Sequence, residues 1–182
     1  QRELENIIFR LQKNEPIQYI RGVAEFCGRN FKVASSVLIP RPETAELVEL
    51  IVEENPNARR LLDIGTGSGC IAISLDKKLL DAEVEAWDIS EEALAIARKN
   101  NDALEAQVRF LQRDVLADDW EKIPSFDVIV SNPPYVTETE KNEMDANVLE
   151  WEPGLALFVH DEDPLRFYNR IARLGSELLL PG

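Results

Sequence analysis

Cysteine and histidine are scarce in this sequence, which holds two cysteines, Cys27 and Cys70, and a single histidine, His160. Two scattered thiols make no disulfide framework, and they are typical of a reducing compartment such as the cytoplasm. Without a CxxC pair, and with one histidine, the sequence argues against a structural zinc site and against a histidine-based catalytic triad. We therefore expect a cytoplasmic protein with no metal site.

Long apolar runs and basic stripes are also missing. No apolar run is long enough to cross a bilayer, and we expect no signal peptide. Acidic residues outnumber basic ones by 34 to 20, which gives a formal net charge of −14. Because a duplex-binding protein usually carries a basic face to neutralise phosphates, we expect no direct nucleic-acid binding and no membrane binding. The charge fits either a solvated acidic surface or a basic partner.

Short apolar segments alternate with amphipathic ones from residue 60 onward, a pattern that predicts βαβ units and a parallel sheet. Strands are expected at 60–64, 83–87, 108–111 and 126–130. The last of these is largely apolar at consecutive positions, so we expect it to be buried on both faces and not to form a sheet edge. The fold class is therefore α/β, a Rossmann-like doubly wound sheet. In strand order 3-2-1-4, ligands bind where the first and fourth strands part.

The flanks of this unit are less regular. Residues 1–14 predict an amphipathic helix, and residues 15–40 predict a linker with a β-hairpin. A helix is expected from about Thr44 to Glu54, and loop with some helix at 136–160. Asp163 and Pro164 suit the start of a last helix that runs to about Leu179. The turn signal Pro181-Gly182 stands where a further strand would begin, so we expect the C-terminal strands to be missing.

A glycine-rich segment follows the first strand: Asp63-Ile64-Gly65-Thr66-Gly67-Ser68-Gly69. Such a turn lets a ligand approach the backbone closely. The third glycine comes one residue too early for the dinucleotide fingerprint GxGxxG, and no lysine follows as in a P-loop. The spacing resembles the GxGxG loop of enzymes that use S-adenosylmethionine.

Carboxylates follow the next two strands. Asp88, at the end of the second strand, is placed to accept hydrogen bonds from both ribose hydroxyls of a nucleoside, or else to cap the following helix. Asp114, at the end of the third strand, is placed to accept from an adenine amino group, or else to stabilise a turn. Val115 would then pack against the adenine ring.

The fourth strand leads directly into Asn132-Pro133-Pro134-Tyr135. The side-chain carbonyl of Asn132 and the main-chain carbonyl of Pro133 are two acceptors, and the second is held rigidly because a proline follows it. Two acceptors that converge on one NH₂ group fit a primary amide or the exocyclic amine of a base. Tyr135 offers a flat face for a planar group. The motif thus predicts methyl transfer to a weakly nucleophilic nitrogen, driven largely by positioning.

These residues carry a resemblance to a known family. Asp63–Gly69, Asp88 and Asn132–Tyr135 are similar to the motifs of the N(5)-glutamine methyltransferases of peptide chain release factors, the HemK/PrmC family. Other stretches are also similar to this family. Glu15–Gly22 with Phe26 resembles the segment ahead of its catalytic domain, and Leu38–Thr44 resembles its signature before the first strand. Glu152-Pro153 with Ala156-Leu157 resembles a block that it places after the NPPY motif. The resemblance covers nearly the whole chain.

The resemblance implies an enzyme that methylates the glutamine of the release-factor GGQ motif. S-adenosylmethionine would be held by the cofactor residues Gly65, Thr66, Gly67, Ser68, Gly69, Asp88, Asp114, Val115 and Asn132, and the glutamine amide by Asn132, Pro133, Pro134 and Tyr135. It also implies that residues 1–14 are the tail of a helical substrate-recognition domain and that residues 41–182 are the methyltransferase domain. Other readings are a ribosomal-protein glutamine methyltransferase, an adenine-N6 DNA methyltransferase and a non-catalytic cofactor-binding fragment.

Overall fold

The computed structural model describes residues 2–117 and 123–181. The helices are α1 (Arg2–Gln12), α2 (Ile17–Arg21), α3 (Pro42–Glu54), α4 (Cys70–Lys78), α5 (Glu91–Ala103), α6 (Ala146–Leu149), α7 (Gly154–Leu157) and α8 (Arg166–Leu178), with a 3-10 helix at Glu140–Glu143. The strands are β1 (Val23–Phe26), β2 (Arg29–Lys32), β3 (Arg60–Ile64), β4 (Glu83–Asp88), β5 (Arg109–Gln112), β6 (Val128–Ser131), β7 (Val136–Thr137) and β8 (Phe158–Val159). Of the helices in these two ranges, none has the length and apolarity needed to span a membrane.

The central sheet contains four parallel strands in the order β5-β4-β3-β6, which confirms the order 3-2-1-4 expected from the sequence. Successive residues of β3 face opposite sides. Leu61 packs in a core cluster with α3 and α4, whereas Leu62 lies in a second cluster with Leu174 of α8. All three side chains are buried because helices cover both faces of the sheet. The doubly wound arrangement is thus confirmed.

The fourth strand is shorter than expected, and β6 lies at one end of the four-stranded sheet. Phe126 lies before β6 and forms a separate parallel bridge with Leu179. Its N–H donates to the Leu178 carbonyl at 2.8 Å, and its own carbonyl accepts from the N–H of Leu180 at 2.9 Å. Residues 178–180 therefore run beside the segment that leads into β6, but among the described residues β6 itself pairs with β3 alone. Val128 and Ile129 are half-buried, so the expectation that this run is buried on both faces and does not form a sheet edge was wrong for β6.

The expected hairpin is present as the antiparallel pair β1-β2, in which Val23 pairs with Lys32. The segment just before it is helical instead, as α2. Gly22, at φ 69°, ends this helix in the left-handed conformation, and its N–H donates to the Tyr19 carbonyl. Phe31 of β2 is fully buried in the cluster that also holds α3 and α4. The hairpin therefore belongs to the main core.

Asn100 of α5 connects this hairpin to the glycine loop. Its Oδ1 accepts from the Lys32 N–H at 2.7 Å, and its Nδ2 donates to the carbonyls of Lys32 at 3.0 Å and Ser68 at 2.9 Å. The side chain is 1% exposed. A buried amide is stable only when it is hydrogen-bonded, and here the partners come from two separate parts of the chain.

Some local predictions were wrong. The last helix begins at Arg166, because the Asp163 carbonyl accepts the Arg166 N–H in a preceding turn and Asp163 is not its cap. Helix α3 begins two residues earlier than expected, with Pro42 in its first turn. The parallel pair β7-β8 lies within the stretch expected to be loop and helix. Two-residue strands carry no periodic signal that a sequence pattern could show.

Candidate active site

The glycine loop, Gly65–Gly69, turns from the end of β3 into α4. Gly65 and Gly67 have φ of 74° and 55°, a region that L side chains rarely adopt. A Cβ on either of these two glycines would meet no atom within 4 Å. The N–H groups of Gly65 and Thr66 both donate to the Trp87 carbonyl of β4, at 2.8 and 3.0 Å. The loop is thus fixed to the neighbouring strand while its other side stays open.

Asp88 ends β4 and connects the glycine loop to the start of α5. Its Oδ2 accepts from the Gly67 N–H at 2.8 Å and its Oδ1 from the Ser90 N–H at 2.9 Å. Ser90 itself caps α5, since its hydroxyl accepts from the Ala93 N–H. Burial raises the pKa of Asp88, and the N–H groups of Ser90 and Gly67 oppose this shift. Each carboxylate oxygen keeps a further lone pair for a ligand hydroxyl.

Asp63 lies beneath the loop and is fully buried. The Thr66 hydroxyl donates to its Oδ2 at 2.6 Å. Burial raises the pKa of Asp63 to about 7, and the bond from Thr66 opposes the shift. Asp63 does not line the cavity described below, so it supports the loop from inside.

Asp114 and Val115 follow β5. The Asp114 carboxylate accepts from the Leu116 N–H at 2.8 Å, which makes the turn considered in the sequence analysis, and its side chain also borders the cavity. Arg170 of α8 holds this turn by donating to the carbonyls of Val115 at 2.9 Å and Ala117 at 2.5 Å. The sequence analysis did not single out Arg170, because it lies more than fifty positions away from the turn.

The segment Asn132–Tyr135 follows β6, the strand that neighbours β3 on the side away from β4. The Ser131 hydroxyl donates to the Ile64 carbonyl at 2.7 Å and so ties the start of this segment to the start of the loop. The Asn132 side chain accepts no hydrogen bond from, and donates none to, residues 2–117 and 123–181. Tyr135 is 59% exposed.

One cavity of about 820 Å³ lies at the carboxyl ends of the four parallel strands. The predicted site residues that line it are Gly65, Thr66, Gly67, Ser68, Asp88, Asp114, Val115, Asn132, Pro133 and Pro134. Tyr135 borders a smaller neighbouring cavity instead. Gly69 borders neither: a Cβ there would lie 3.1 Å from Ile73 Cδ1 and 3.2 Å from Ala97 Cβ, so close packing of α4 on α5 accounts for this glycine. His160, left without a role above, lines the larger cavity.

Two stretches that are far apart in the sequence also line the larger cavity. Pro40 and Arg41 precede α3, and Pro153 and Gly154 lie after α6. Glu152 joins these stretches through Arg41, with Arg41 Nη2 2.6 Å from Glu152 Oε1. The resemblance marked both stretches, but no residue pattern assigned a contact between them.

Residues 26–150 match the methyltransferase small domain. The chain belongs to this methyltransferase family. A curated relative from Bacteroides thetaiotaomicron, named release factor glutamine methyltransferase, is 80% identical over 182 residues, which is all of this chain and 66% of the relative. A relative of the same name from Flavobacterium psychrophilum is 49% identical over 180 residues, 96% of this chain and 63% of that protein. The chain thus spans just under two thirds of the length of these relatives.

The methyltransferase fold is also seen in a solved structure. A 16S rRNA methyltransferase of Thermus thermophilus, in complex with AdoMet and guanosine, is similar with a TM-score of 0.55 and 19% identity, over 88% of this chain and 39% of that one. This likeness confirms the α/β fold class with its parallel sheet.

The cavity of this methyltransferase domain fits S-adenosylmethionine in size and chemistry. Small-molecule sites are usually about 300–1,000 Å³, and this one lies in that range. Carboxylates suit ribose hydroxyls and an adenine amino group, and Asp88 and Asp114 present them at neighbouring strand ends. Val115 adds apolar surface. The open Cβ positions of Gly65 and Gly67 leave room for a ligand against the backbone.

Proposed function

We propose that this chain is the catalytic part of a protein-glutamine methyltransferase. Its methyl donor is S-adenosylmethionine, and its acceptor is the side-chain amide of the glutamine in the GGQ motif of peptide chain release factors. The proposal depends above all on one observation: the glycine loop and Asn132-Pro133 line a single cavity. The relatives named release factor glutamine methyltransferase support the choice of acceptor.

The donor side would be held by three groups of residues. Gly65–Ser68 would lie against the cofactor, Asp88 would accept from its ribose hydroxyls, and Asp114 with Val115 would hold its adenine. S-adenosylmethionine, when bound, supplies an electrophilic methyl group. The hydrogen bonds from the N–H groups of Gly65 and Thr66 to the Trp87 carbonyl set the loop before any ligand enters, so little ordering is needed on binding.

The acceptor side would be held by the NPPY segment. Asn132 Oδ1 and the Pro133 carbonyl each accept one hydrogen of the glutamine NH₂ group, and Tyr135 offers its ring to the planar amide. With both hydrogens held, the nitrogen lone pair is directed toward the methyl group. An amide nitrogen is a poor nucleophile, and such positioning raises its reactivity without prior deprotonation. The proton leaves after the transfer.

A polypeptide acceptor also agrees with the charge of the chain. A net charge of −14 favours a basic protein over duplex nucleic acid.

A cytoplasmic location is part of the same proposal. Burial raises the pKa of Cys70 to about 12, so this thiol stays protonated and unreactive at neutral pH.

The direct test is methyl transfer from labelled S-adenosylmethionine, offered in parallel to a release factor, a ribosomal protein extract and duplex DNA, with mass mapping of the product. We expect label on the GGQ glutamine of the release factor. The matched control is the same release factor with that glutamine replaced by alanine. Label on another protein or on adenine would replace the acceptor but keep the chemistry. Cofactor binding without any label would contradict the catalytic proposal.

A further inference from the structure

Arg41, which lines both cavities, forms an ion pair with the buried carboxylate of Glu152. Glu152 has a side chain that is 2% exposed, and both of its oxygens are hydrogen-bonded. Oε1 accepts from Arg41 Nη2 at 2.6 Å, and Oε2 accepts from the main-chain N–H of Ile39 at 3.2 Å. Glu152 therefore fixes both the backbone just before Arg41 and the direction of the Arg41 side chain.

Arg41 lines the same two cavities as Asn132 and Pro133 of the NPPY segment. The large cavity and the smaller one, of about 110 Å³, share five residues: Leu38, Arg41, Asn132, Pro133 and Ala156. Arg41 therefore lies where the larger cavity adjoins the smaller one, which Tyr135 borders. Its side chain is 37% exposed, so it is accessible to a ligand there.

The charge state of this pair limits what it can bind. The guanidinium is a multiple donor, and Glu152 accepts from only one of its nitrogens in the part of the chain that the structure describes. Because Glu152 balances the positive charge, the remaining donors suit a neutral carbonyl better than an anionic phosphate. A phosphodiester is bound most strongly by uncompensated cations. The paired guanidinium thus matches the main chain of a polypeptide.

We propose that Arg41, oriented by Glu152, binds a main-chain carbonyl of the polypeptide next to the acceptor glutamine and so determines specificity for peptide over nucleic acid. This inference depends on the proposed function of the site. Arg41 is the binding residue, and Glu152 is a positioning residue that acts through it.

The molecule contains a matched control for a purely structural effect. Glu49 and Lys78 form a second ion pair, with Lys78 Nζ 2.8 Å from Glu49 Oε1. This pair joins α3 to α4, and its residues are not among those that line the two cavities. Loss of either pair should lower stability, but only loss of the Arg41 pair should change substrate binding.

The experiment compares Arg41→Ala, Arg41→Lys and Glu152→Gln with Lys78→Ala in the full-length protein. Arg41→Ala should raise the KM for the release factor about tenfold or more, as expected for a lost charge-assisted hydrogen bond, with a much smaller fall in kcat. Arg41→Lys should restore part of the affinity. Cofactor affinity by calorimetry should change little, and Lys78→Ala should lower the unfolding temperature slightly without a change in KM.

Inhibition by a competitor is a second measurement, and a change in stability alone should not affect it. In Glu152→Gln, Arg41 keeps an uncompensated charge, so a short single-stranded oligodeoxynucleotide should inhibit this variant several-fold more strongly than the wild type. Equal KM values in Arg41→Ala and Lys78→Ala, or no change in inhibition for Glu152→Gln, would overturn the inference. If the wild-type protein methylates no polypeptide, the proposed function itself is wrong. That result differs from a failure of the Arg41 inference, because it is seen without any substitution.

Discussion

The two sides of the cavity are built in different ways. On the cofactor side, the contacts join neighbouring βα units, as where the N–H of Gly65 meets the Trp87 carbonyl and that of Gly67 meets Asp88. On the acceptor side, Arg41 is held by Glu152, which also bonds to Ile39, 113 positions away. The main-chain contacts of the glycine loop thus follow from the sheet itself, whereas the orientation of Arg41 exists only once distant segments have packed together. Changes on one side should therefore leave the other largely intact.

The largest expected effect comes from Asn132→Ala, which removes the side-chain acceptor proposed for the glutamine amide. Loss of the side-chain acceptor should lower the rate of methyl transfer by about a hundredfold or more, because the amide is no longer oriented. Affinity for S-adenosylmethionine, measured by calorimetry, should remain within a few-fold of the wild type. Asn57→Ala, at an exposed turn, is the control. Near-normal turnover in Asn132→Ala would remove the amide-holding role.

Asp88→Ala tests the cofactor side. We expect cofactor affinity to fall by about 1–3 kcal/mol, since ribose hydrogen bonds are lost and the Gly67 N–H loses its partner. The KM for the release factor at saturating cofactor should change much less. Asp81→Ala, on an exposed aspartate with a side chain 84% exposed, controls for the loss of a negative charge. Unchanged affinity in titration calorimetry would leave Asp88 with its structural bonds only.

Asp63→Asn should have the smallest effect, and it should depend on pH. In the folded chain Asp63 keeps its proton to about pH 7, whereas an unfolded aspartate loses it near pH 4. Between these values the folded state binds more protons, so the contribution of Asp63 to the free energy of unfolding falls as pH rises. The unfolding temperature of Asp63→Asn relative to wild type should therefore increase from pH 5 to pH 8, by a few degrees.

The control for this pH dependence is Asp127→Asn. The N–H groups of Arg59 and Arg60 lower the pKa of Asp127, so its contribution is complete above about pH 4 and is lost only in more acid solution. Its difference from wild type should be constant from pH 5 to pH 8. A difference for Asp63→Asn that is equally constant would contradict the shifted pKa.

The contrast between the cofactor side and the acceptor side also explains how much of the fold and the site could be predicted from the sequence. The strand order, the glycine loop and the positions of Asp88 and Asn132 follow from local signals: apolar strands, glycine spacing and the residue that ends each strand. Ten of the residues predicted from these signals line one cavity in the structure. Gly69 shows their limit, because spacing cannot distinguish a glycine that meets a ligand from one that allows two helices to pack.

Contacts across long sequence separations were beyond such reasoning. No local pattern tells that Arg170 will hold the turn at Val115 or that Glu152 will bond to Arg41. The resemblance drew attention to the stretches around Arg41 and Glu152 but not to their contact. These interactions depend on which surfaces meet in three dimensions, and that is decided only when the helices dock on the sheet.

The amide of Asn100 has a consequence for how this protein opens and closes. It hydrogen-bonds the backbone of Lys32 in the hairpin and that of Ser68 in the glycine loop. If the hairpin detached, Asn100 would lose two of its buried partners, at a cost of about 1–3 kcal/mol per unsatisfied group. Hydrogen exchange in β2 and in the loop should therefore report a single cooperative opening. The smallest unit that holds the cofactor loop in shape thus begins before β1, some forty residues ahead of the first glycine.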